Sequence, residues 1–144
     1  MQAANIEVVA EKNCFPTKKH PDDAAYDLTT PKPITLLANQ ILTVDTGIKM
    51  SIPQGYAGLI LSRSGLAASG ITVVNSPGLI DSGYLGEIRV ILHNSRRVRR
   101  FDAGARIAQI LFIEVTPVTL KAVSEFTTAT TLRGENGLGS TGIN

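Results

Sequence analysis

Three observations predict an all-β domain, a sandwich or jelly-roll barrel. Short β-branched runs alternate with period two, and Gly, Pro, Asn or Asp separates them. Only "SGLAAS", Ser64 to Ser69, reads as helix, and a turn or two of helix cannot stand without tertiary support. Many closely spaced strands fit a barrel or sandwich better than an open sheet.

The strands follow in order. "NIEVVAE" alternates, and "QILTVDTGIKMSIP" alternates over a longer span before Pro53 closes it. "YAGLILS", the short helix, "GITVVN", "EIRVILHN" and "RIAQILFIEVTPV" come next, each bounded by turn residues. The last ordered strand is expected to end near Val118 or Val123. Residues 1–123 are therefore assigned to a core, and 124–144, rich in Thr and Gly, to a flexible arm that can reach a neighbouring subunit.

A chain of 144 residues suits one domain with its own core, and there is neither a repeat nor a linker. A formal charge of +2 gives no electrostatic case for a nucleic-acid or membrane partner. The N-terminus "MQAANIEVVAEKNC" lacks a basic region followed by an apolar one, and no run reaches the roughly 18 apolar residues of a membrane span. A cytoplasmic location is expected, or the host cytoplasm or nucleus for a viral protein. Cys14 is the only cysteine, which excludes an internal disulfide and a cysteine zinc site. His20 and His93 lack ligand-like spacing.

Five stretches carry candidate chemistry, and each has a plain structural reading beside it. "AAYDL" offers Asp27 in an apolar stretch, as a turn residue or a ligand. "SRSGLA" is a helix start capped by Ser62 or Ser64, or an anion site at a helix N-terminus with Arg63 and Ser64 as donors. "GLIDSGYLGEI" puts an acid, an aromatic and three glycines at what reads as a tight β-hairpin, in which Gly supplies positive φ and Tyr84 packs over the strand. "GARIAQI" passes for a plain strand with a solvated Arg106 and a polar Gln109. "RGENGLGSTG" is a disordered tail, or an anion clamp of backbone N–H groups, Ser140, Thr141 and Arg133; it lacks the P-loop lysine and the strand-to-helix context.

Taken in their order and spacing, these five stretches resemble the ordered motifs of the trimeric dUTPase family, the dUTP pyrophosphatases, from about residue 4 to 142. The third and fifth are highly specific. The resemblance implies a jelly-roll (β-clip) fold, a homotrimer whose active sites each collect motifs from three chains, and Mg²⁺-assisted hydrolysis of dUTP to dUMP and pyrophosphate. That reaction limits uracil incorporation into DNA and supplies dUMP. Asp81 then matches the acid that deprotonates the attacking water and contacts the sugar 3′-hydroxyl. Tyr84 matches the aromatic that packs on deoxyribose and excludes a 2′-hydroxyl. Asn75 starts the hairpin that reads uracil through backbone groups. Arg63, Ser64, Gly65 and Gln109 match phosphate-binding residues, and Asp27 matches the acid that holds metal-bound waters in the second sphere. Arg133, Leu138, Gly139, Ser140 and Thr141 match the arm that closes over nucleotide on a neighbouring subunit, Arg133 acting much like an arginine finger.

The sequence departs from the family pattern at four places. Gly83 stands where Asp is frequent, Ala105 replaces an Asp before Arg106, and the arm has Asn136 for a Gly and Leu138 for the aromatic that stacks on uracil. Leu138 covers the base without π-stacking, so weaker arm closure is expected. Two other functions stay open. One is dCTP deamination, alone or combined with pyrophosphatase activity, on the same fold. The other is a nucleotide-gated binding module, supported only by the four arginines of "NSRRVRRFD", which otherwise form a solvated connection.

Overall fold

The computed structural model describes residues 3–127, 131–137 and 142. Its elements are β1 Glu7–Ala10, β2 Tyr26–Thr29, β3 Ile34–Leu36, β4 Ile41–Ser51, β5 Tyr56–Leu61, α1 Ser64–Ala68, β6 Ile71–Val73, β7 Gly78–Ile80, β8 Glu87–Asn94, β9 Arg99–Phe101 and β10 Arg106–Glu114. The strands build one sheet in the order β1-β4-β8-β6, a second in the order β2-β10-β5-β7, and a ribbon of β3 with β9; every pairing is antiparallel. This is the all-β jelly roll with one short helix that the alternation predicts.

Alternation places the core. On β8, Ile88, Val90, Leu92 and Asn94 point inward, and Val44, Thr46, Ile48 and Met50 do so on β4. A bulge interrupts the β4–β8 ladder, where four steps from Asp45 to Lys49 face only two from Arg89 to Glu87. The two extra residues are an even number, so the inward face stays on the even positions of β4. Gly47, at φ +69°, supplies the backbone turn there. Leu28, Ile60, Ile107, Ala108 and Ile110 close the core from the second sheet.

The fully buried polar residues Thr30, Thr46 and Asn94 are satisfied by the backbone, whereas the buried Oγ1 of Thr29 has no hydrogen-bond partner among the described residues. Thr46 Oγ1 donates to the Ile88 carbonyl at 2.7 Å. Asn94 Nδ2 donates to the carbonyls of Leu36, Leu37 and Arg97, and its Oδ1 accepts from the Arg96 N–H at 3.0 Å. An asparagine at the end of an apolar run thus fixes the Arg-rich link between β8 and β9, which would otherwise leave these groups unpaired. Burial, with the Glu11 carboxylate nearby, pushes the Cys14 thiol above its ordinary pKa.

Several expectations change. The last strand stops at Glu114, short of Val118, and residues 115–127 are exposed. Asp27 is not in a turn but inside β2. The stretch Gly78–Ile88 is not a hairpin of two paired strands: β7 pairs with β5 and β8 with β4 and β6, so the turn between them carries the chain from one sheet to the other. Neither Ser62 nor Ser64 caps α1. Arg63 takes the N-cap position with no side-chain cap bond, and Ser62 Oγ instead accepts the Val73 N–H at 2.8 Å.

Candidate active site

The register of the second sheet assembles one groove. Asp27 on β2 lies opposite Gln109 on β10, and Gln109 lies opposite Leu61, the last residue of β5. Residues paired across strands share a face, so side chains distant in sequence meet on the outer surface. Beyond Leu61, Ser62 and Arg63 lead into α1. Asp27, Arg63, Ser64, Gly65 and Gln109 thereby line a cavity of about 430 Å³, together with Lys19, His20, Asp23 and Arg106.

Ion pairs and hydrogen bonds hold these groups in place. Arg63 Nε contacts Asp27 Oδ1 at 3.1 Å, and Arg106 Nη1 contacts Asp27 Oδ2 at 3.3 Å. The Asp27 side chain is 17% exposed, so its charge is well shielded and the pairing arginines compensate it. Arg63 Nη1 also donates to the Arg106 carbonyl at 3.3 Å. Arg106 is an exposed strand residue, as the plain reading has it, and is also paired with Asp27. Gln109 Nε2 donates to the Ser62 carbonyl at 2.9 Å, and the Ser62 N–H donates to Ser76 Oγ at 3.3 Å. Ser62 ties the groove to the loop that carries Asn75. Its signal in the sequence was the pair of serines flanking Arg63, read there as caps.

Electrostatically the groove sets Lys19, Arg63 and Arg106 against Asp23 and Asp27. That excess of positive charge suits an anion but is small beside a polyphosphate. Lys19, His20, Asp23 and Arg106 are polar lining residues to which motif reading gave no role. "KKH" shortly before "AAYDL" was the available clue for the first two.

Asp81 and Tyr84 occupy a separate place. The Tyr84 N–H donates to the Asp81 carbonyl at 3.3 Å across a turn in which Gly83 has φ +83°, so the glycine there meets a conformational need. Both side chains are exposed. Because Ile80 pairs with Gly58 while Arg63 lies beyond the other end of β5, about 15 Å separates Asp81 from the groove along the strand, at ~3.3 Å per residue. A single chain does not bring the two together. Arg133 is exposed, and its Nε donates to the Asn136 carbonyl at 3.0 Å, away from the groove lining. Leu138, Gly139, Ser140 and Thr141 lie outside the described residues.

Among the described residues no group of three or more His, Cys, Asp or Glu side chains could hold a metal ion. Mg²⁺ commonly keeps several waters and binds one or two carboxylates plus substrate phosphates. A groove with Asp27 already engaged by two arginines fits an ion carried on a phosphorylated ligand and touched through its waters, and does not fit a protein cage.

Comparison with known proteins gives a consistent result. Residues 11–142 match the dUTPase family. The deoxyuridine 5′-triphosphate nucleotidohydrolase of Cutibacterium acnes is 40% identical over 141 residues, covering 96% of this chain and 91% of that protein. The dUTPase of Staphylococcus bacteriophage 80alpha, solved as a point mutant with dUpNHpp, superposes with a TM-score of 0.89 at 27% identity, covering 98% of this chain and all of that one. A mutant dUTPase from phage phi11 of S. aureus, described for its coordination of a structural Mg(II) ion, shares the fold with a TM-score of 0.79 at 23% identity, over 87% and 100% of the two chains.

Proposed function

The chain belongs to the dUTPase family and has the activity of a dUTP diphosphatase, and we propose that it performs this hydrolysis at sites shared between three chains. The observation that carries the reading is the groove in which sheet register joins Asp27, Gln109 and the Arg63 segment. Its donors suit phosphate oxygens: the Arg63 fork, the Ser64 hydroxyl, the backbone at Gly65, and the second amide N–H of Gln109. Mg²⁺ chelated by the triphosphate would stabilise negative charge on the scissile phosphates. Asp27 would contact waters of that ion while Arg63 and Arg106 keep it oriented.

Asp81 orients the attacking water and accepts its proton, and a positioned carboxylate of this kind contributes about 10²–10⁴ in rate. Proton transfer needs hydrogen-bond reach, and the separation along β5 favours a site completed by another chain. The turn bearing Asp81 therefore works with the groove of a neighbour. Tyr84 packs on deoxyribose, and Asn75 with the adjoining backbone reads uracil, since fixed donors and acceptors reject a mismatched base strongly. Residues 124–144 form the arm, and Arg133, Ser140 and Thr141 add phosphate donors from a third chain while Leu138 and Gly139 close over the base. The products follow as dUMP and pyrophosphate, which lowers the dUTP available for incorporation into DNA.

Exposed apolar surface supports assembly. A cavity of about 800 Å³ is lined by Ile6, Val8, Phe15, Tyr26 and Phe112 among others, and Phe15 is 62% exposed. Sedimentation should find about three chains per particle; an active monomer would contradict the shared site. The activity itself is tested by measuring pyrophosphate release from dUTP, dCTP, dTTP and UTP, with Mg²⁺ and with EDTA. Release from dUTP alone, largely lost in EDTA, is expected. Ammonia release from dCTP would mark a deaminase instead.

A further inference from the structure

Tyr84 is 44% exposed, yet two contacts define where its ring lies. A Cβ placed on Gly86 would lie 2.5 Å from Tyr84 Oη, 2.6 Å from Cζ and 3.0 Å from Cε2. The ring therefore rests directly on the backbone at Gly86, in space that any side chain there would occupy. From its far end the phenol donates to the Glu87 carbonyl at 3.0 Å. Glu87 is fixed in turn, because its Oε1 accepts the Gly47 N–H at 2.9 Å from the β4 bulge. Tyr84 is thus connected through Glu87 to the central sheet, across forty residues of sequence.

From this geometry we infer that Gly86 and Glu87 are positioning residues that set the enzyme's choice between deoxyribose and ribose. The inference rests on the reading that Tyr84 faces the sugar. A steric filter discriminates only as well as its wall resists displacement, because a ring that swings aside admits the 2′-hydroxyl it is meant to exclude. Gly86 supplies the seat, the Glu87 carbonyl supplies the latch, and the Glu87 carboxylate anchors that latch to Gly47. Neither residue needs to touch the nucleotide.

The test compares kcat/KM for dUTP with that for UTP in the wild type and in Tyr84→Ala, Tyr84→Phe, Gly86→Ala, Glu87→Ala and Glu87→Gln, with thermal unfolding and sedimentation as checks of assembly. Gly86→Ala should lower the dUTP:UTP ratio at least tenfold by displacing the ring. Tyr84→Phe, which keeps the ring and loses the latch, should lower it several-fold. Glu87→Ala should lower it several-fold, and Glu87→Gln, whose amide oxygen still accepts the Gly47 N–H, should restore it to near the wild-type value. A merely structural role would reduce both substrates alike and leave the ratio unmoved. If Tyr84→Ala abolishes the preference while Gly86→Ala and Glu87→Ala keep it within twofold, the inference is wrong. If Tyr84→Ala leaves the preference intact, the placement of Tyr84 on the sugar fails, and the inference with it. Should Gly86→Ala not assemble, Tyr84→Phe and the Glu87 pair decide.

Discussion

In the stretch Gly78–Ile88 a Cβ on Gly86 would meet Tyr84 at 2.5 Å and one on Gly78 would meet Asn75 at 3.2 Å, whereas in the C-terminal stretch a Cβ on Gly134 or Gly137 meets nothing within 4 Å. The two stretches are similarly rich in glycine, but for different reasons. In the first, Gly78 and Gly86 lie against side chains of the same chain, and Gly83 serves the conformation of the turn. In the second, among the described residues, no neighbour crowds Gly134 or Gly137, and ordering a glycine-rich segment costs more backbone entropy than any other. What the arm approaches must offset that cost. On the proposed reading, phosphate oxygens on a neighbouring subunit would satisfy its backbone N–H groups, its arginine and its hydroxyls together.

Substitutions in the two stretches should therefore behave differently. Asp81→Asn in the first is expected to have the largest effect. The amide keeps the shape and loses the base, so kcat should fall by about 10²–10⁴, the equivalent of roughly 3–5 kcal/mol in activation free energy, while dUTP still binds. Pyrophosphate release and nucleotide titration on the same sample check this, and near wild-type turnover would refute the role of Asp81. Deleting Arg133–Asn144 should come next. On the proposed reading it removes donors for charge developing on the phosphates, so kcat should fall by about 10²–10³ with a smaller change in KM. Because the described part of that segment is exposed, the melting temperature should hardly move. The smallest effect belongs to Leu138→Phe, which should lower KM for dUTP. Base stacking on an aromatic is worth about 1–3 kcal/mol by alanine substitution, and leucine already covers part of the base, so the gain should lie at the lower end. An unchanged KM would place Leu138 away from uracil.

The same contrast explains what could be read from the sequence. Strands β4, β5, β8 and β10 are long enough for alternation to declare them, and the core followed from them. Short as they are, β1 and β6 sit in longer apolar runs, whereas β3, β7 and β9, of three residues each, and β2, of four, show no period of their own. The Asp27 that looked like a turn residue sits within one of these. Local pattern also cannot say which sheet a strand joins, so Gly78–Ile88 looked like a hairpin although β7 and β8 belong to different sheets. At the site, motif order located Asp27, Arg63, Ser64, Gly65 and Gln109, which the sheet then brings into one groove. Pairing of Arg106 with Asp27 depends on the register between β10 and β2, which no spacing along the chain encodes. The anchoring role of Glu87 stayed hidden for the same reason, since its partner Gly47 is set by a bulge in another strand.

The central claim is that a groove on one chain, the Asp81 turn of a second and the glycine-rich arm of a third form one site. Co-expression of full-length Asp81→Asn with a chain lacking Arg133–Asn144 tests it most directly, by the turnover of dUTP in the purified mixed assembly. Each chain alone should be nearly inactive, but the truncated chain would supply Asp81 and the substituted chain the arm. With random assembly about a quarter of the sites should hold both, since two independent chains must each be of the right kind, and turnover should recover to a comparable share of wild type. Turnover no greater than the sum of the two inactive parents, in assemblies shown to contain both chains, would contradict a site shared between subunits.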